Sequence, residues 1–206
     1  MQIESVSEKK AGRHWLRLSD GSTLRLYPQT VAEFDLRPGR ELTQEELAKI
    51  RAAAGVMSAK MRAVRIVSAS AVSAKDLAGR LERKGETRED AQAAVAWMQS
   101  LNLVDDLETA RQLVRRGLAR GYGINRLQQM LYEKQIPKDL WDTALADLPE
   151  PDEAIDRFLD SRLGPQADRK AWKKAADALV RRGYLWQDIR RGLHRRGQFA
   201  DEEPEE

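Results

Sequence analysis

The chain has 206 residues, a third of them charged, and its 36 Lys and Arg against 33 Asp and Glu leave a formal net charge of only +3. That length accommodates one large domain or several small modules with a real core. So small a net charge identifies no partner until it is mapped along the chain. Cysteine is absent, which excludes disulfides and thiolate metal sites and suits a reducing cytosol. No apolar run approaches the roughly 18 residues of a membrane span. The opening MQIESVSEKK lacks the apolar core of a secretory signal, so a cytoplasmic protein is expected.

The first part of the chain, residues 1–55, reads as a β-hairpin followed by short helices. His14 to Ser19 and Ser22 to Tyr27 alternate polar and apolar residues, with Leu16, Leu18, Leu24 and Leu26 on one face. Asp20-Gly21 between them predicts a two-residue type I′ turn. A further strand near Gln2 to Ser7 would complete a three-stranded sheet, because a lone hairpin is marginal in water. Thr43-Gln-Glu-Glu46 is a capping box that opens a helix, and Gly55 is the expected stop.

Beyond Val56 the signal is helical only. Leu77-x3-Leu81-x2-Lys84, Leu127-x3-Leu131-x2-Lys134 and Ala175-x3-Leu179-x2-Arg182 recur at near-regular spacing, which predicts three copies of one helical unit. Residues 56–105 form the first, with Met57, Met61 and Val64 on one stripe and Thr87 capping its last helix. Residues 106–149 form the second, with joints at Gly121-Tyr122-Gly123 and at Gln135, and Pro137 before a helix carrying Trp141, Ala144, Leu145 and Leu148. Residues 150–198 form the third, and 199–206 a disordered acidic tail. Helices this short must bury their stripes against neighbours. The expected fold is therefore mainly α, tandem three-helix repeats in an elongated curved array behind a small N-terminal β element, and a monomer.

Catalytic chemistry finds few candidates. His14 and His194 stand at opposite ends of the chain without partners at metal-ligand spacing, and no phosphate-loop, dinucleotide or nucleophile-elbow string occurs. Asp105-Asp106 reads as the acidic start of a helix. A non-enzyme without metal or cofactor is expected. Basic surface is the stronger feature. Between residues 169 and 197 there are ten Lys or Arg and two acids, a local excess of eight, whereas residues 201–206 hold five acids. Arg116 and Arg120 share a helix face with Arg115 beside them, and Arg181-Arg182, Arg190-Arg191 and Arg195-Arg196 are doublets. Each set is either an ordinary solvated face or a contact for a polyanion. Tyr122 and Tyr184 could stack on bases or pack over helix ends. Trp97, Trp141 and Trp172 belong to the core, and Trp186 is expected to be exposed.

The run Val104-Asp-Asp-x3-Ala110-x3-Val114-Arg115-x4-Arg120-Gly121-Tyr122-Gly123 resembles the central motif of the RecX family, regulators of RecA recombinase. Lys84-Gly85 and Arg182-Gly183-Tyr184 are similar to that family's helix stops. The stretch Gly39-x-Glu41-Leu42-Thr43-x-Glu45-Glu46-Leu47 resembles the head piece of its longer members. Thr109, Gly117 and Gln135 depart from the pattern, standing where an aromatic, a basic residue and a glycine are usual. The resemblance implies a helical-repeat protein that lies in the groove of the RecA–DNA filament. It would curb filament growth, ATP hydrolysis, strand exchange and RecA-stimulated repressor cleavage. The residues it nominates for contact with RecA or DNA are Arg115, Arg116, Arg120, Tyr122, Lys134, Arg181, Arg182, Arg190, Arg191, Arg195 and Arg196. The alternative is a helical-repeat protein that binds single- or double-stranded DNA directly and weakly, independent of RecA.

Overall fold

The computed structural model describes residues 1–9, 12–164 and 167–196; the acidic tail expected at 199–206 lies outside them. The chain forms two compact units, Met1–Asp105 and Asp106–Glu206.

The first unit begins with strands β1 (Ile3–Lys9), β2 (Arg13–Leu18) and β3 (Thr23–Leu26), an antiparallel sheet in that order. Leu16 pairs with Val6 on one side and Leu24 on the other. Because side chains alternate along a strand, the leucines gather on one face. Leu16, Leu18 and Leu26 are buried there, with Leu36, Leu42, Leu47 and Ile50 covering them. The hairpin turn differs from the type I′ expectation. Asp20 does not take positive φ; only Gly21 does, at +82°. Gly21 N–H donates to the Leu18 carbonyl and Leu18 N–H to the Ser22 carbonyl, each at 2.9 Å. The loop is therefore three residues, Ser19-Asp20-Gly21, a type I turn completed by a left-handed glycine. The Asp20 carboxylate accepts from Ser22 N–H at 2.9 Å, a bond that favours this turn.

After the short helix α1 (Pro28–Glu33) comes α2 (Gln44–Ala69), opened by the expected Thr43–Glu46 capping box. Gly55 does not stop it. The helix runs through it at a propensity cost of about 1 kcal/mol, and the Asp90 carboxylate of α4 (Arg88–Ser100) sits 2.5 Å from where a Cβ on Gly55 would be. Ala59 and Ala63 continue that small-residue seam and are fully buried, in place of the Met57–Met61 stripe expected there. With α3 (Ala74–Arg83), these helices enclose a second core that includes Leu77, Leu81 and Met98. The expected cap Thr87 holds α4, and Ser73, which no sequence reading singled out, caps α3: each hydroxyl accepts a backbone N–H at 3.1 Å.

The second unit holds α5 (Asp106–Ala119), α6 (Ile124–Glu133), a 3-10 turn (Lys138–Leu140) leading into α7 (Trp141–Leu145), then α8 (Asp152–Arg162), α9 (Arg169–Arg181) and α10 (Trp186–Arg195). Leu127 and Leu131 sit in one core and Ala175 and Leu179 in another. The repeated pattern thus marks buried positions in each copy. Trp186, expected to be exposed, packs half-buried against the second of these cores. Gly117 has no side chain because Leu127 of α6 occupies the space a Cβ would fill.

Helices α3, α6 and α9 end alike. The residue after each C-cap takes positive φ, at Gly85 (+90°), Gln135 (+55°) and Gly183 (+86°). The next N–H reaches back to the carbonyl of Leu81, Leu131 or Leu179 at 3.0–3.2 Å, the Schellman closure. Gln135 therefore adopts the glycine conformation without being glycine, at a local cost of about 1 kcal/mol. Gln135→Gly is expected to raise the thermal midpoint by roughly 2–4 °C, with an unchanged circular-dichroism spectrum; a lower midpoint would show that the glutamine side chain contributes more than the strain costs.

Candidate functional site

The second unit is organised by two helix joints that meet backbone to backbone. Gly123 N–H donates to the Arg182 carbonyl at 2.9 Å and Asn125 N–H to the Gly183 carbonyl at 3.0 Å. A Cβ on Gly123 would lie 2.5 Å from the Gly183 carbonyl oxygen, and one on Gly183 would run into the Arg126 backbone. Gly123, which follows Tyr122, and Gly183, which precedes Tyr184, are thus required by contact. Arg182 reinforces the junction: its guanidinium donates to the Arg120 carbonyl at 3.1 Å and lies over the Phe158 ring, 4.8 Å from its centroid. Tyr184 is buried in the core below, where burial pushes its phenol pKa up. Arg182 and Tyr184 are committed to the fold.

Beside this junction is a groove of about 240 Å³ lined by Leu113, Arg116, Arg120, Tyr122, Arg126, Met130, Glu133 and Lys134. Leu113 and Arg116 on α5 and Arg120 just past its end are spaced three or four residues apart, as are Arg126, Met130 and Glu133 on α6, whose C-cap is Lys134, so each helix offers one face. Four predicted residues, Arg116, Arg120, Tyr122 and Lys134, come together here. Arg126 joins them although nothing in the sequence nominated it; its position one turn after Tyr122 was the available signal. Arg126 pairs with Glu133 at 3.3 Å and lies over Tyr122 at 5.9 Å. Four cations thus face one carboxylate around an aromatic and a methionine. Arg115 is not part of the groove: it bonds Glu108 at 2.7 Å, and that hydrogen bond, with one from Gln112, holds the Glu108 carboxyl below its ordinary range.

A second groove, of about 560 Å³, lies between α8 and α9, lined by Phe158, Arg162, Ala171, Lys174, Ala175, Ala178 and Arg181. Of the predicted residues only Arg181 reaches it. Arg162 and Lys174 were not anticipated, although Lys174, Ala178 and Arg181 follow helical spacing.

The terminal arginines are placed differently. Asp152, Asp156 and Asp160, each one turn apart on α8, form a ladder with α10. Arg195 pairs with Asp152 at 3.3 Å and Asp156 at 2.9 Å; Arg196 pairs with Asp156 at 2.9 Å and Asp160 at 2.5 Å. Arg191 is held by Asp188 at 2.6 Å. Arg190 is exposed and makes no ion pair among the described residues. The bonds to Arg195, followed by the nearby charges of Arg195 and Arg196, hold the Asp156 carboxyl below its ordinary range. Among the described residues no group of three His, Asp or Glu could hold a metal ion, and no helix is long and apolar enough to cross a membrane.

Residues 105–145 match the family model described as the second three-helix domain of RecX. The regulatory protein RecX of Vibrio campbellii is 29% identical over 158 residues, covering 73% of this chain and 96% of that one. The regulatory protein RecX of Prosthecochloris aestuarii is 30% identical over 125 residues, covering 59% and 82%. The crystal structure of a regulatory protein RecX superposes with a TM-score of 0.70 at 20% identity, covering 94% of this chain and 98% of that one, a likeness of fold.

The ladder has a pH signature. A carboxyl whose folded pKa is depressed stabilises the fold above its unfolded value of about 3.9, and loses that contribution as pH falls through the folded pKa. Asp156→Asn is therefore expected to melt below the wild type at and above pH ~5, with the gap closing toward pH ~2. A gap that does not change with pH would show that the ladder adds nothing through its charge.

Proposed function

The chain belongs to the RecX family, and from that premise we propose that it regulates a RecA recombinase without being an enzyme itself. It lies in the groove of the RecA–DNA filament, where the second DNA strand and the repressor would otherwise bind. Occupancy of that groove lowers filament growth, ATP hydrolysis, strand exchange and repressor cleavage together. The observation that carries the reading is the groove of Arg116, Arg120, Arg126 and Lys134 around Tyr122, with Glu133 the one acid among the described residues that line it. Four cations on two rigid helix faces suit a surface rich in phosphate and carboxylate, and electrostatic attraction speeds encounter with such a surface. The neutralised ladder on α10 leaves Arg190 as the terminal arginine best placed to add to the attraction.

RecA ATPase on single-stranded DNA, with this protein titrated in at two salt concentrations, tests the reading. Inhibition is expected at protein amounts well below the nucleotide count. Arg116, Arg120 and Arg126 changed together to Ala should weaken it by on the order of tenfold to a hundredfold, at about 1 kcal/mol or less per rim contact. Complete absence of inhibition by the wild-type protein defeats the proposal. Full inhibition by the folded triple variant moves the contact elsewhere on the molecule.

A further inference from the structure

The leucine face of the sheet is covered, but its opposite face is open to solvent. Pairing sets Ser7, Trp15 and Arg25 side by side across the three strands, with Ser5, Arg17 and Thr23 in the next row and Lys9 opposite Arg13 in the row beyond. Alternation turns all of these away from Leu16, Leu18 and Leu24. Trp15 remains 38% exposed, among the few large apolar side chains left in solvent. The Arg25 guanidinium lies over one face of its ring, 5.2 Å from the centroid. On the other flank stands only the small Ser7, so that side of the indole has no bulky cover. Arg13 is folded over Tyr27 at 5.4 Å, and Arg17, 64% exposed, pairs with Glu4 at 3.1 Å. Lys9, Arg13, Arg17 and Arg25 thus stand against one carboxylate, Glu4.

We propose that this outer sheet face, Trp15 with Arg13, Arg17 and Arg25, binds single-stranded nucleic acid. An exposed indole on a flat, short-chained platform offers a stacking surface for an unpaired base, and the arginines on neighbouring strands meet the phosphates on either side. A duplex keeps its base faces stacked inside and has none to offer. Stacking does not read sequence, so recognition is of strand and charge. This inference goes beyond the proposed regulation and does not depend on it, because the binding needs no RecA.

The test is fluorescence anisotropy of a labelled oligo-dT of about 20 nucleotides, long enough to cover a small stacking platform, with no RecA present, between about 50 and 200 mM salt. The wild-type protein is expected to bind the single strand more tightly than an equal-length duplex, with affinity falling as salt rises. Trp15→Leu, which keeps an apolar side chain on the sheet, should weaken binding by roughly 5- to 100-fold. Arg25→Gln should weaken it less and lower the salt slope by about 0.7. Thermal midpoints establish that the variants are folded; should Trp15→Leu not fold, Arg25→Gln decides alone. No binding by the wild type at about 50 mM salt, unchanged affinity in the folded variants, or equal binding of the duplex would each overturn the proposal. Since the ATPase measurement with RecA is separate, either proposal can fail while the other stands.

Discussion

Two peptide backbones touching at Gly123 and Gly183 set the geometry of the whole second unit. Side chains can adjust to a neighbour, but a carbonyl oxygen 2.5 Å from where a Cβ would sit cannot. The joint after α5 and the joint after α9 are therefore locked in register by main-chain hydrogen bonds, as adjacent strands would be. Both candidate grooves take residues from the borders of this junction, Arg120 and Tyr122 for one and Arg181 for the other. Their cations are held on helices whose ends cannot drift, which is what a recognition surface built from long, flexible arginines requires.

Charge in this molecule is distributed by partner rather than by sequence window. The stretch with an excess of eight basic residues looks uniformly attractive to a polyanion, yet Arg195 and Arg196 face the aspartates of α8 and Arg191 is tied to Asp188. Those α8 carboxylates lie some forty residues upstream, outside any local count. The groove on the second triplet has fewer basic residues, but among the described residues lining it Glu133 is the only acid.

The fold was legible where physics is local. Apolar spacing located Leu77, Leu81, Leu127, Leu131 and Leu179 in cores, and the Thr43–Glu46 and Thr87–Asp90 pairs located helix starts, because caps and stripes act within a turn or two. It was not legible where the decisive neighbour is distant. Gly55 reads as a stop until Asp90 is seen against it, and the hairpin turn is decided by how Asp20 bonds Ser22. The candidate site divides the same way. Helical spacing joined Arg116 to Arg120, but Arg126 enters the groove through the packing of α6 beside α5, and Arg182 is tied down by a carbonyl 62 residues upstream. Gln135 is intermediate: its place in the repeat pattern pointed to a glycine conformation, and the backbone took that conformation with the wrong residue.

Arg182 illustrates what such a junction means for reading mutants. Its guanidinium spans from one triplet's loop to an aromatic of the next, so truncating it would slacken the hinge-side of the unit while leaving every exposed cation in place. An arginine scan judged only by lost activity would rank this position among the strongest partner contacts, though what it measures there is the stiffness of the scaffold.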